Sequence, residues 1–234
     1  MKKIVISLGG SVLVPSLESN NISRYASVLK KIAGSCRVFI VVGGGGEARR
    51  YIQVARDLGA GEATADELGI MVTRLNARLL VTGLGDAAYP RVAENYTEAR
   101  EFAETGKIVV MGGITPAQTT DAVSAVLAES VGADLLVNAT SVDGIYSADP
   151  KKDAGAVRYE RLTPQELLDI ITQSRMDAGA NIVLDIVAGK VIERSGITLL
   201  VLDGRDPENI YRAVVEGAVV GTIVSREDTT SLPA

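Results

Sequence analysis

Three times in this chain a run of apolar residues ends in glycine. Residues 3–8 run into Gly9-Gly10, residues 38–42 into Gly43–Gly46, and residues 108–111 into Gly112-Gly113. The runs are continuous and rich in Val and Ile rather than alternating, as in strands buried on both faces. Helix-like segments separate them. Apolar periodicity and capping residues place helices at 22–32 (with Asn20 or Asn21 as N-cap), 47–58, 65–81, 121–131, 164–171, 186–193 and 207–216. Further strands are expected at 135–138, 198–202 and 222–224. Strand, glycine turn and helix in repetition give an α/β fold, a mostly parallel sheet covered by helices. No linker divides the chain. The nearest thing to a boundary is the stretch 105–113, midway along, and the polar tail 226–234 is expected to fray.

Composition removes many chemistries. Histidine is absent from the 234 residues, which excludes Ser-His and Cys-His nucleophile pairs and histidine metal ligands. Cys36 is the single cysteine, so neither a disulfide framework nor a cysteine-based metal centre can form, and a reducing compartment is expected. With no Trp and two Phe, the core must be aliphatic. A net charge of −5 argues against a nucleic-acid or anionic-membrane surface. The start, Lys2-Lys3 before apolar residues, superficially resembles a signal peptide. Gly9-Gly10 interrupts the run and no small-residue cleavage site follows, so it reads as a strand and the location as cytoplasmic.

In a parallel sheet the glycine turns all lie at the carboxyl ends of the strands, where ligands bind. Glycine lets backbone N–H groups approach an anion, and a helix N-terminus adds its dipole. Three such turns at one edge suit an extended anionic ligand or two phosphates facing each other. The P-loop pattern is absent, because Gly106-Lys107 is followed by Ile108 and Gly189-Lys190 by Val191. Gly43, Gly45 and Ala48 meet part of the dinucleotide pattern, but after the second strand and without a strand-end acid about 20 residues later. Thr119-Thr120-Asp121 opens a helix and reads either as an N-cap or as a carboxylate at the ligand edge. Residues 140–150 form a long loop after a strand, in which Tyr146 offers a flat face to a purine.

The ordered set Gly9-Gly10-Ser11, Gly43-Gly44-Gly45, Thr119-Thr120-Asp121 and Val142-Asp143-Gly144-Ile145-Tyr146 with Ala148-Asp149-Pro150 resembles the amino acid kinase family. Within it, residues 111–120 and the 140–150 loop are most similar to the archaeal-type branch that phosphorylates UMP. The resemblance covers about residues 3–225 and implies one domain over 1–225, a three-layer α/β/α sandwich with a polar tail. It implies transfer of the γ-phosphoryl group of ATP to UMP with Mg2+, giving UDP, in a homohexamer built from dimers. The acceptor would lie over the N-terminal half and ATP over the C-terminal half. Carried over by position, Gly9, Gly10, Gly45, Arg49, Thr140, Tyr146 and Asp149 would bind ATP. Gly44, Asp66, Ile114, Thr115, Pro116, Ala117, Gln118, Thr119 and Thr120 would bind UMP. Asp121 would organise the catalytic groups, and the phosphates rather than the protein would hold most of the metal.

Two departures qualify this carry-over. Many family members have a lysine where this chain has Ser7, and another where it has Ser141. The archaeal-type branch shares the first absence. Arg49, Lys190 and Lys152 are the candidate replacements. Alternatives of the same fold are kinases of acetylglutamate, aspartate, carbamate or isopentenyl phosphate. Asp66 would repel an acidic amino acid yet accept hydrogen bonds from a ribose. A non-catalytic nucleotide sensor and a dehydrogenase are the readings from other classes.

Overall fold

The computed structural model describes residues 1–150, 152–153, 155–176, 184–227 and 231–233. The two longest apolar runs make the central strands. β1 (Lys2–Leu8) and β2 (Cys36–Val42) pair in parallel, with Ile4 opposite Val38 and Leu8 opposite Val42. β3 (Val109–Met111) joins the far side of β2, β4 (Leu135–Thr140) the far side of β1, and β6 (Thr198–Asp203) the far side of β4, all parallel. β7 (Thr222–Val224) then runs antiparallel to β6, and β5 (Arg161–Leu162) lies parallel to β7. The sheet order is β3-β2-β1-β4-β6-β7-β5. The mostly parallel expectation holds, with a reversed pair at one edge.

Strand alternation divides the core into two layers of contact. Ile4, Ile6 and Leu8 of β1 and Val38, Ile40 and Val42 of β2 meet α2 (Ile22–Ala33), the C-terminal half of α4 (Glu62–Leu84) and α9 (Glu208–Val215). Val5, Phe39 and Val41 meet α5 (Tyr96–Ala103), α6 (Thr120–Val131), α7 (Pro164–Met176) and α8 (Ile186–Ser195) on the other face. The result is the expected three-layer sandwich. Both phenylalanines are buried, and Val, Ile, Leu and Ala supply nearly all the rest, each large aliphatic side chain worth about 1.5–3 kcal/mol on burial. The four-residue α1 (Gly10–Leu13) and the longer α3 (Gly45–Asp57) follow the first two glycine turns, and α3 packs on α4.

Several elements differ from the sequence expectation. α1 and α5 were not anticipated, and α4 extends three residues beyond the expected 65–81 at each end. Asn21 stands at the N-cap of α2, but its amide donates to the Val12 carbonyl instead of capping. The tail is docked where it is described. Arg226 donates to the Glu193 and Arg194 carbonyls, Arg161 to the Glu227 carbonyl, and Lys2 to the Pro233 carbonyl. Among the described residues no helix is long and apolar enough to cross a membrane.

Candidate active site

The turns after β1 and β2 pack backbone against backbone. A Cβ on Gly10 would lie 2.3 Å from the Gly45 nitrogen and 2.4 Å from the Gly43 carbonyl oxygen, and Gly45 itself has φ +66°. Only glycine permits this approach. It brings the starts of α1 and α3 to one place, and the first N–H groups of a helix have no partner within it. Gly9, Gly10, Gly43, Gly44 and Gly45 line a cleft of about 260 Å³, together with Arg49, Thr120, Asp121 and Thr140. This collects, in one site, residues expected to serve ATP, UMP and catalysis. Arg49 is the cation of the lining and has no ion-pair partner among the described residues.

Asp121 enters the cleft from the first turn of α6. Thr119, and neither Thr120 nor Asp121, caps that helix: its hydroxyl accepts the Ala122 N–H at 3.1 Å. The Asp121 carboxylate is thereby free to accept a 2.8 Å hydrogen bond from the buried Ser7 hydroxyl. Burial pushes its pKa up to about 6. The Ser7 hydrogen bond pulls it down and the Asp185 charge adds a further push upward. Thr119 also donates to Asp185, whose other oxygen caps α8 through the Val187 and Ala188 N–H groups at 2.7 and 3.1 Å. Ser7 thus occupies the family lysine position as the partner of the catalytic candidate. Asn138, paired in register with Ser7 on β4 and also lining the cleft, escaped the sequence reading. Its one signal was a lone amide in an apolar strand.

The segment expected to wrap the acceptor is held by α4. Asp66 accepts the Ala117 N–H at 2.8 Å, and Ala117 adopts φ +63°. Asp66 therefore anchors the segment expected to wrap the acceptor. Of that segment, Ile114 and Pro116 are half-buried, Thr115, Gln118 and Thr119 are exposed, and Thr120 reaches the cleft. Thr73 and Asn76 of α4, also missed from sequence, bind the glycine turns beside it.

The 140–150 loop is more ordered than a plain surface loop. Ser147 N–H donates to the Val157 carbonyl and Tyr159 N–H to that of Ile145. The Tyr146 hydroxyl donates to Asp143 at 2.8 Å, and Arg158 pairs with Asp143 at 3.0 Å. That hydrogen bond holds the Tyr146 proton above the usual range. Thr140 lines the cleft, whereas Tyr146 and Asp149 lie farther along the loop, outside the lining. Lys190 is exposed on α8, also outside it, and Lys152 follows the loop.

Residues 2–203 match the family model described as the Amino acid kinase family. The chain belongs to the amino acid kinase family. It is 86% identical over 234 residues to a uridylate kinase of Methanoculleus marisnigri, covering 100% of both chains. It is 58% identical to a uridylate kinase of Methanospirillum hungatei, over 100% of this chain and 99% of that one. Among solved structures, the uridylate kinase from Archaeoglobus fulgidus aligns with a TM-score of 0.86 and 48% identity, over 96% of this chain and 100% of that one. The UMP kinase from Ureaplasma parvum aligns at 0.81 and 26% identity, over 96% and 99%.

Proposed function

We infer that the chain transfers the γ-phosphoryl group of ATP to UMP, yielding UDP and ADP. The single observation that carries this reading is the full-length 86% identity to a uridylate kinase. The cleft suits the chemistry. A UMP phosphate oxygen is already ionised at neutral pH and attacks the γ-phosphorus without a general base. A new P–O bond forms as the bond to the β-phosphate oxygen breaks, and ADP leaves with that electron pair. Catalysis is alignment plus stabilisation of spreading negative charge. Backbone N–H groups at the two packed turns and the Arg49 guanidinium serve that end. No histidine is needed.

In this reading Gly9, Gly10, Gly45, Arg49, Thr140, Tyr146 and Asp149 serve ATP, over the C-terminal half. Gly44, Asp66 and residues 114–120 serve UMP, over the N-terminal half. Asp121 organises the reacting groups, and Arg49 is a better placed cation than Lys190. Magnesium is the expected companion. Asp121 is the carboxylate of the cleft that would fit the ion, and phosphate oxygens would supply most of its other ligands. When bound it neutralises phosphate charge.

A cytoplasmic location accords with the lone, free Cys36. Assembly into a homohexamer of dimers is the expectation, and association as such finds support in Tyr51 and Val54 of α3, Leu58 just after it, and Met71 and Leu75 of α4, all exposed large apolar side chains.

An acceptor panel tests the activity: ADP release from magnesium-ATP with UMP, dUMP, CMP, acetylglutamate, aspartate, carbamate and isopentenyl phosphate. Turnover with UMP above all other acceptors, abolished by EDTA, is expected. Preference for another acceptor, or ATP binding without turnover, contradicts it.

A further inference from the structure

The inner face of α4 performs a task that the transfer reaction does not itself reveal. Asn76 is buried, and its side-chain amide donates to two successive carbonyls, Gly43 at 3.0 Å and Gly44 at 3.3 Å. These are the carbonyls of the turn whose glycines line the cleft. A carbonyl oxygen turned toward a phosphate repels it, whereas an N–H turned the same way attracts it. By taking both carbonyls from behind, Asn76 fixes the face that the turn offers to the cleft. Three residues earlier the Thr73 hydroxyl accepts the Gly113 N–H at 2.7 Å and donates to the Ile70 carbonyl at 2.7 Å. Gly113 opens the segment that Asp66 anchors at Ala117. At about 100° per residue, Asp66, Thr73 and Asn76 fall within an arc of about 80° on the helix. One helix face therefore sets the distance between the turn after β2 and the turn after β3.

We propose that Asn76 and Thr73 are positioning residues for the phosphoryl transfer, Asn76 through the Gly43–Gly44 turn and Thr73 through the acceptor segment. The proposal rests on the UMP kinase reading. The two residues touch different turns, so their losses should fall on different constants. Asn76→Ala leaves the Gly43 carbonyl without its donor and the Gly44 carbonyl with the Ala48 N–H alone, at 3.4 Å. It should lower kcat roughly 10- to 100-fold, the cost of a misaligned site. Thr73→Val keeps the shape and removes the hydroxyl. It should act mainly on KM for UMP, raising it about tenfold.

The order of Asn76 variants separates a donor from a mere space-filler. Asn76→Asp keeps the volume but sets acceptor against acceptor, so the proposal expects it to lose at least as much kcat as Asn76→Ala. A purely structural role expects the isosteric variant to be the milder one. Steady-state constants of all three variants are measured well below their melting temperatures. If Asn76→Ala does not fold, the kcat of Asn76→Asp and the KM of Thr73→Val decide the matter. Wild-type constants in the folded variants, or losses that track melting temperature alone, overturn the proposal. A wild-type chain that turns over no UMP instead overturns the activity. The clamp is then read by calorimetry with ATP alone: a turn that has lost its set face should bind ATP about tenfold more weakly in Asn76→Ala, and an unchanged affinity overturns the clamp as well.

Discussion

Asp121 shows how much chemistry one side chain can gain from its surroundings. Its carboxylate faces a polar cleft, yet burial raises its pKa to about 6. If the ionised form organises the reacting groups, kcat rises with pH through about 6. The Ser7 hydrogen bond favours the ionised form, so Ser7→Ala moves that limb to higher pH, and a pH–rate profile of the two proteins checks the direction. Stability carries the opposite sign. Between the ordinary carboxylate range and about pH 6 the folded chain keeps a proton that the unfolded chain releases, so stability falls as pH rises through this window. Asp121→Asn should therefore stabilise the fold at neutral pH, on the order of 1 kcal/mol, while it impairs turnover. Little of this was legible in the sequence. Thr119-Thr120-Asp121 announced a helix start, and Ser7 stood out as a missing lysine. The hydrogen bond joining them spans 114 positions, and only the sheet register brings it about.

Among the elements, those with strong local signals were readable. β1 and β2 are continuous apolar runs, and their glycine turns follow from backbone contacts too close for a side chain. Short elements left no period to find: α1 has four residues and β5 two. α5 did carry a usable signal, since Asn95 accepts the Glu98 N–H and Glu98 accepts that of Glu94, a reciprocal cap before a helix that buries Ala99 and Phe102. α4 was recognised as a helix, but its polar inner face was not, because Thr73 and Asn76 reveal their partners only once the turns fold over them. Asp66 belongs to the same face. Asp66→Ala releases the Ala117 N–H, and with it the one residue of the segment held at a positive φ. It should raise KM for UMP roughly tenfold with a smaller change in KM for ATP, and steady-state kinetics with each substrate varied in turn reads the difference.

The whole molecule has two aspects, an edge that carries the cleft and a flank with exposed apolar side chains. Both belong to the same helix pair. α3 begins at the cleft and α4 holds its turns, while Tyr51, Val54, Met71 and Leu75 of these helices, with Leu58 just after α3, face solvent. Association through this flank predicts that Leu58→Glu with Leu75→Glu yields smaller particles in sedimentation than the wild-type chain, whereas an unchanged particle size moves the interface elsewhere. The sheet itself was foreseeable from its glycine-ended runs. The reversed edge pair was not, because nothing local distinguishes residues 222–224 from a parallel strand. The central claim concerns the cleft, and one measurement meets it directly: UDP formed from UMP and magnesium-ATP, followed by phosphorus NMR, for the wild-type chain and for Asp121→Asn. The account predicts one UDP for each ADP from the wild type, and from the variant a rate at least about 100-fold lower with UMP still bound. ADP without UDP, or a variant as fast as the wild type, would contradict it.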